Sequence, residues 1–169
     1  MIELEKTYLA KFIPGGLKDK KEMLDIFIPK NSVHPILRIR KNGEQFEITK
    51  KYPVEDGDAS KQHEFTIKLT KEEFEELSLI EGKRTEKHRY KLDHQGREAE
   101  VDIFQGKLKG LVLIDFEFKT EEEKEIFEMP DFCLAEVTQE EFLAGGMLCG
   151  KSYEEVEENL NRFGYKKID

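Results

Sequence analysis

Over the first 120 positions apolar and polar residues alternate in short runs, the period that puts every second side chain on one face of an extended strand. The runs predict strands over Glu3–Ala10, Ile36–Arg40, Phe46–Lys51, Glu64–Leu69, His88–Leu92, Glu98–Phe104 and Leu111–Phe118. Asn42-Gly43 is the sharpest hairpin signal, since both residues tolerate the positive φ of a type I′ turn, and Gly96 and Gly106 punctuate the later strands. Helical spacing replaces the alternation at Thr70–Leu79, where Thr70 with Glu73 forms a capping-box pattern and Phe74 and Leu77 share a face. The same pattern recurs as Thr138 with Glu141, predicting a helix to Leu143, and as Ser152 with Glu155, opening a helix to about Phe163. Glu121–Phe127 is a further short helical segment, and Asp56–Lys61 is a polar loop. No repeat or domain boundary is visible. The reading is one α+β domain over residues 1–169, an antiparallel sheet with flanking helices.

The polar face of the predicted sheet is charged to an unusual degree. It presents Glu3 and Glu5, Arg38 and Arg40, then Glu47, Thr49 and Lys51, and then Glu64, Thr66 and Lys68. Lys87, Arg89 and Lys91 follow, with Glu98, Glu100 and Asp102, and finally Asp115, Glu117 and Lys119. A half-exposed sheet meeting water with its polar face explains any one strand. The number of strands and the like-charged pairs point elsewhere: if the sheet curls into a barrel under helices, these charges face inward and repel unless an opposite charge lies between them. Arg38 with Arg40 calls for an anion, and Glu3 with Glu5 for a divalent cation. A polyphosphate carrying Mg²⁺ or Mn²⁺ meets both demands, because guanidinium forks suit phosphate oxygens and hard carboxylate oxygens suit those ions.

Composition narrows the classes. The 169-residue chain is 37% hydrophobic, and its net charge of −9 argues against a protein that coats nucleic acid. Residues 121–158 hold 13 acidic and 2 basic residues, whereas residues 1–120 hold 23 of each. Apolar runs such as Leu111–Ile114 are far shorter than the roughly 18 residues of a membrane span, so no membrane partner is expected. The start, MIELEK, lacks the pattern of an export signal, and Cys133 and Cys149 support neither a disulfide framework nor a zinc site, so a cytoplasmic location is expected. His34, His63, His88 and His94 lack ligand spacing, and Gly145 to Ser152 imitates a phosphate loop without a preceding strand.

Taken in order, these motifs resemble the CYTH, or triphosphate tunnel metalloenzyme, superfamily from about residue 2 to residue 148, with 149–169 as a helical C-terminal extension. The family's ExExK is similar to Glu3-Leu4-Glu5-Lys6-Thr7, its paired arginines to Arg38-Ile39-Arg40, and its TxK strand to Thr49-Lys50-Lys51. Glu64 matches the glutamate before the central helix, and Glu81–Arg84 through Lys87–Tyr90 resembles the basic strand. Glu100–Phe104, Asp115–Phe118 and Glu136-Val137-Thr138 are similar to the ELDVF, EVEF and EVT elements. The resemblance implies an eight-stranded antiparallel β-barrel tunnel, open at both ends, that binds a triphosphate-containing small molecule and Mg²⁺ or Mn²⁺. By the same carry-over, Glu3, Glu5, Glu117 and Asp115 are the implied metal ligands. Arg38, Arg40, Lys51, Lys87, Arg89, Arg84 and Lys119 are the implied substrate ligands, with Glu3, Glu5, Arg40, Lys51 and Glu117 at the chemistry.

The chain departs from the family at Thr7, where the motif lysine is expected, at Thr66, where many relatives carry a second glutamate, and at Phe142–Gly146. Lys6 is expected on the opposite face of its strand from Glu5 and Thr7. The resemblance implies a metal-dependent hydrolase of inorganic tripolyphosphate or an organic triphosphate; the alternatives are an adenylate cyclase of the same fold and a noncatalytic polyphosphate- or nucleotide-binding module. The sequence leaves open whether the chain is a monomer or a homodimer.

Overall fold

The computed structural model describes residues 2–169. Its strands are β1 (Ile2–Ala10), β2 (Lys18–Ile28), β3 (Leu37–Asn42), β4 (Gln45–Pro53), β5 (Lys61–Leu69), β6 (Lys83–His94), β7 (Arg97–Phe104), β8 (Val112–Phe118) and β9 (Cys133–Glu136). The helices are α1 (Lys71–Leu77), α2 (Glu121–Glu125), α3 (Gly145–Leu148) and α4 (Tyr153–Asn161). Eight antiparallel strands pair in the order β5-β4-β3-β2-β6-β7-β8-β1, and β5 pairs back onto β1 to close a barrel. The closing contact covers only Ile2–Leu4 of β1, because strands in a barrel are staggered. The rest of that edge is taken by β9, which pairs through Tyr8, Leu9 and Ala10.

Alternation then separates the two sides of the wall. Outward residues of β2, β3 and β4, including Ile26, Ile39 and Ile48, pack under α1, whose Phe74 meets Phe46 at 4.9 Å between ring centroids. Burying Phe74 is worth about 1.5–3 kcal/mol. Thr70 and Glu73 form the expected capping box that starts this helix. The outward residues of β7, β8 and β1 build a second cluster around Tyr8, Val101, Ile114 and Phe116.

Inward positions change character along the bore. On β1 the inward series Glu3, Glu5, Thr7 ends in Leu9, which pairs with Leu113 of β8, and on β7 the series Glu100, Asp102 ends in Phe104. Leu9, Leu113 and Phe104 join Val137, Leu143, Leu148, Val156, Leu160 and Tyr165 in one buried cluster. The C-terminal segment thus lays an apolar floor beneath a charged bore, where the family resemblance implies a second open end. The buried Tyr165 hydroxyl fastens it by donating to Gly110 O (2.8 Å) and accepting from Val112 N (2.9 Å).

Four details differ from the sequence reading. β2 and β9 are additional strands; β2 carries a positive φ at Asp19 and a register shift between Lys18 and Lys21, which breaks the alternation that reveals a strand. The β3–β4 loop is Gly43-Glu44, since Asn42 pairs with Gln45 and only Gly43 takes a positive φ, +60°. The Thr138–Leu143 helix is a single 3₁₀ turn, Glu141–Leu143. Thr138 Oγ1 instead accepts from Thr7 N and donates to Glu136, so no cap is left for a helix.

Candidate active site in the barrel bore

A cavity of about 780 Å³ occupies the bore and receives side chains from every barrel strand. Glu3, Glu5 and Thr7 come from β1, Asp25 and Phe27 from β2, Arg38, Arg40 and Asn42 from β3, and Glu47, Thr49 and Lys51 from β4. Gln62 and Glu64 come from β5, Lys87 and Arg89 from β6, Glu100 and Asp102 from β7, and Asp115 and Glu117 from β8. The segment 137–146 runs along one end. Gln139 ties it to the loop after β4, accepting from Ala59 N (2.9 Å) and donating to Asp58 (3.0 Å), and His34 meets Glu141 at 3.2 Å.

Of the residues singled out in the sequence, Glu3, Glu5, Arg38, Arg40, Lys51, Lys87, Arg89, Asp115 and Glu117 meet in this cavity. Arg84 and Lys119 lie outside it. Arg84 donates to Ser78 O at 2.6 Å in a separate groove outside the barrel, and Lys119 follows the end of β8, where its backbone N–H bonds Glu123. Lys6 points outward and pairs with Glu136 at 3.3 Å, while Thr7 points inward and donates to Asp115 at 2.7 Å.

The closed barrel shows how the charges are partnered. Lys51 Nζ stands 2.7 Å from both Glu3 and Glu5, and Gln62 also donates to Glu5. Burial pulls the Lys51 ammonium down, but Glu5 and Glu3 outweigh it and hold the group protonated. Asp102, 1% exposed, accepts both donors of the Arg89 fork at 2.7 Å and pairs with Lys87. On β2, Asp25 accepts from Arg40 Nε (2.6 Å) and Nη2 (2.8 Å). Burial by itself would raise these two carboxyls; the cations beside them win and hold both well below the usual carboxylate range.

Arg38 is different. Its ion pair with Asp25 is 4.0 Å long, and its buried Nε has no hydrogen-bond partner among the described residues. Burial and the neighbouring Arg40 pull its pKa down to about 10, so it is still a cation at neutral pH. A buried guanidinium N–H without a partner is costly, and Arg38 lines the cavity.

The opposite wall has the converse defect. Glu117 is pushed up to about 7, chiefly by burial and then by Glu3 and Glu100, and Asp115 to about 6 by burial, Asp102 and Glu5. Glu5 and Glu117 are cross-strand partners, so two carboxylates face one another, with Lys51 bonded to Glu5. With Asp58, Glu140 and Glu141 at the rim, twelve carboxylates line the cavity against five lysine and arginine side chains. A polyanion entering such a bore needs further positive charge, and an all-oxygen donor set fits Mg²⁺ or Mn²⁺. No three acidic, histidine or cysteine side chains among the described residues already stand in ligating positions, because Lys51 occupies the space between Glu3 and Glu5.

Asp25 is a charged residue of the bore that the sequence reading missed. Its signal was one carboxylate in the apolar run Leu24-Asp25-Ile26-Phe27-Ile28, at a position whose neighbours face the helix-covered side. Asp102 was visible on the charged face, but its grip on Arg89 and Lys87 was not.

A closed antiparallel barrel whose bore opposes guanidinium and ammonium groups to a surplus of carboxylates defines a tunnel for a polyanion together with a cation. No family model matches the chain. An inorganic triphosphatase of Nitrosomonas europaea is 32% identical over 145 residues, covering 83% of this chain and 91% of that protein. A solved inorganic triphosphatase superposes with a TM-score of 0.65 at 25% identity, covering 88% of this chain and 95% of the other. A putative adenylate cyclase from Bacillus halodurans shares the fold, with a TM-score of 0.54 at 16% identity over 99% of this chain and 92% of that one. The chain belongs to the CYTH, or triphosphate tunnel metalloenzyme, superfamily.

Proposed function

We infer that this chain is a divalent-metal-dependent triphosphatase that hydrolyses a phosphoanhydride bond of inorganic tripolyphosphate inside the barrel. The observation that carries the reading is the division of the bore: Arg38, Arg40, Lys51, Lys87 and Arg89 come from β3, β4 and β6, and the carboxylates Glu3, Glu5, Asp115 and Glu117 from β1 and β8. The similarity to inorganic triphosphatases supports the substrate class.

Glu3, Glu5 and Glu117, with Asp115 beside them, would hold Mg²⁺ or Mn²⁺, which when bound supplies charge neutralisation and polarisation of the phosphoryl oxygens. The protein's own groups do the rest. Arg38, whose nearest carboxylate is 4.0 Å away, is the least neutralised cation of the bore and would meet the anion. Arg89 and Lys87 are held in place by Asp102, so their positive charge needs no reorganisation as charge shifts to the leaving oxygen. Lys51 exchanges Glu3 and Glu5 for phosphate, which both frees the carboxylates and adds a cation to the substrate side. Its ammonium also stands beside the acidic pair although the motif lysine is replaced by Thr7. The nucleophile is water, and the site acts by positioning and charge. On this reading the enzyme is cytoplasmic, and its partner is a small molecule.

Thermal unfolding tests ligand class directly. Tripolyphosphate with Mg²⁺ at about 100 times its Kd should stabilise the fold by about 2.7 kcal/mol. That corresponds to a rise in Tm of roughly 5–10 °C for a chain of this size. Orthophosphate at the same concentration should give a much smaller rise. An equal response to both, or none, rejects the triphosphate reading.

A further inference from the structure

The bore contains five cations, yet most are already neutralised by carboxylates of the wall: Lys51 by Glu3 and Glu5, Lys87 and Arg89 by Asp102, and Arg40 by Asp25. The Asp25–Arg40 pair is the most enclosed of those on the β3 side, with both side chains 7% exposed. It uses the Nε and Nη2 edge of the guanidinium, the edge that would otherwise grip two phosphate oxygens. Arg38, two residues along the same strand, keeps its Nε without a partner. Asp25 therefore grips one of two chemically identical side chains at hydrogen-bond distance and leaves the other, 4.0 Å away and more exposed, loosely held.

We propose that Asp25 is a positioning residue that makes anion binding conditional on a divalent cation: by occupying the fork of Arg40 it leaves Arg38 as the main anion anchor, too little to hold a free phosphate chain in a carboxylate-rich bore. This rests on the triphosphate reading and deepens it. A bore with both arginines open would bind metal-free polyphosphate and orthophosphate, the product, and would be blocked by them. With Arg40 closed, affinity is reserved for a substrate that arrives with compensating positive charge. Arg40 is also held in one orientation by the two bonds to Asp25. An arginine held by a carboxylate loses less conformational freedom when the substrate arrives.

A structural carboxylate and a conditional one give opposite signs on removal. Loss of a merely structural ion pair loosens the site and weakens ligand binding. Loss of Asp25 in the proposed role opens the Arg40 fork and removes a negative charge from the bore, which should tighten binding by about tenfold. The experiment is calorimetric titration of tripolyphosphate in EDTA, where no turnover interferes, into the wild type, Asp25→Asn and Asp25→Glu. Asp25→Asn should bind about tenfold more tightly than the wild type, and Asp25→Glu, which restores the charge, should return towards wild-type affinity. Because Asp25→Asn strands a buried guanidinium and can lower the yield of folded protein, the same substitution is also made in an Arg40→Gln background. There the charge is removed with no fork to open, and Asp25→Asn should tighten binding clearly less than it does with Arg40 present. Equal or weaker affinity of Asp25→Asn, including no measurable binding by either protein, overturns the proposal. So does a tightening of the same size without Arg40. A parallel titration of the wild type with Mg²⁺ present separates the two claims: no binding there rejects the triphosphate reading itself, whereas binding there with no gain for Asp25→Asn rejects only the role of Asp25.

Discussion

Arg38→Gln should lower kcat/KM for tripolyphosphate by roughly 10²–10³-fold, the cost of removing a preorganised charged donor from a water-poor site. The glutamine keeps most of the volume and a hydrogen-bond donor, so the barrel should fold, and the wild type's own unpaired Nε means that no internal ion pair shorter than 4.0 Å is lost. The loss should also appear without turnover, as a reduced rise of Tm on adding tripolyphosphate with Mg²⁺. An Arg38→Gln protein that keeps wild-type kcat/KM and wild-type stabilisation by ligand would show that the open guanidinium is not the anion anchor.

The second large effect concerns the carboxylates. Glu5→Gln and Glu117→Gln should each raise the Mg²⁺ concentration needed for half-maximal turnover by at least about tenfold, since each removes a formal charge from a hard-oxygen donor set. Excess Mn²⁺ should recover part of the rate. The two variants should differ in stability. Burial and the neighbouring acids push Glu117 up to about 7, so an amide there relieves repulsion, whereas Glu5 is tied to Lys51 and Gln62 and its loss leaves those donors short of an acceptor. Glu117→Gln should therefore fold at least as stably as the wild type in EDTA while binding metal less well. Unchanged metal dependence in both variants would make these carboxylates structural.

The alternation of charged and apolar residues on β1, β3, β4, β7 and β8 made the bore legible, because a period of two is a local property of extended chain. The capping boxes at Thr70/Glu73 and Ser152/Glu155 were legible for the same reason, and both form. The Thr138/Glu141 pattern looks identical in sequence, yet the Thr138 hydroxyl is spent on Thr7 of β1, 131 residues away, a partner that exists only once the barrel has closed. β2 escaped notice because the bulge at its start resets the pleat, and Asp25 escaped with it. β9 is four residues long and forms because barrel stagger leaves half of β1 unpaired, a property of the closed sheet rather than of its own residues. The ion pairs that set which cations are open to a ligand join different strands, and no local spacing encodes them. Lys119 falls outside the cavity because the alternation was extended past the end of β8, whereas Arg84 was carried over with the family's basic strand and stands out of phase with Lys87 and Arg89 on β6.

If the bore cleaves a triphosphate with a divalent metal, the wild-type protein releases orthophosphate from tripolyphosphate. Release should be measured with Mg²⁺, with Mn²⁺ and with EDTA, alongside ATP under the same conditions. Orthophosphate should appear from tripolyphosphate with either ion, more slowly from ATP, and not at all in EDTA. Folded protein that binds tripolyphosphate but releases no phosphate with either ion, or that turns it over equally well in EDTA, would contradict metal-dependent cleavage in the bore.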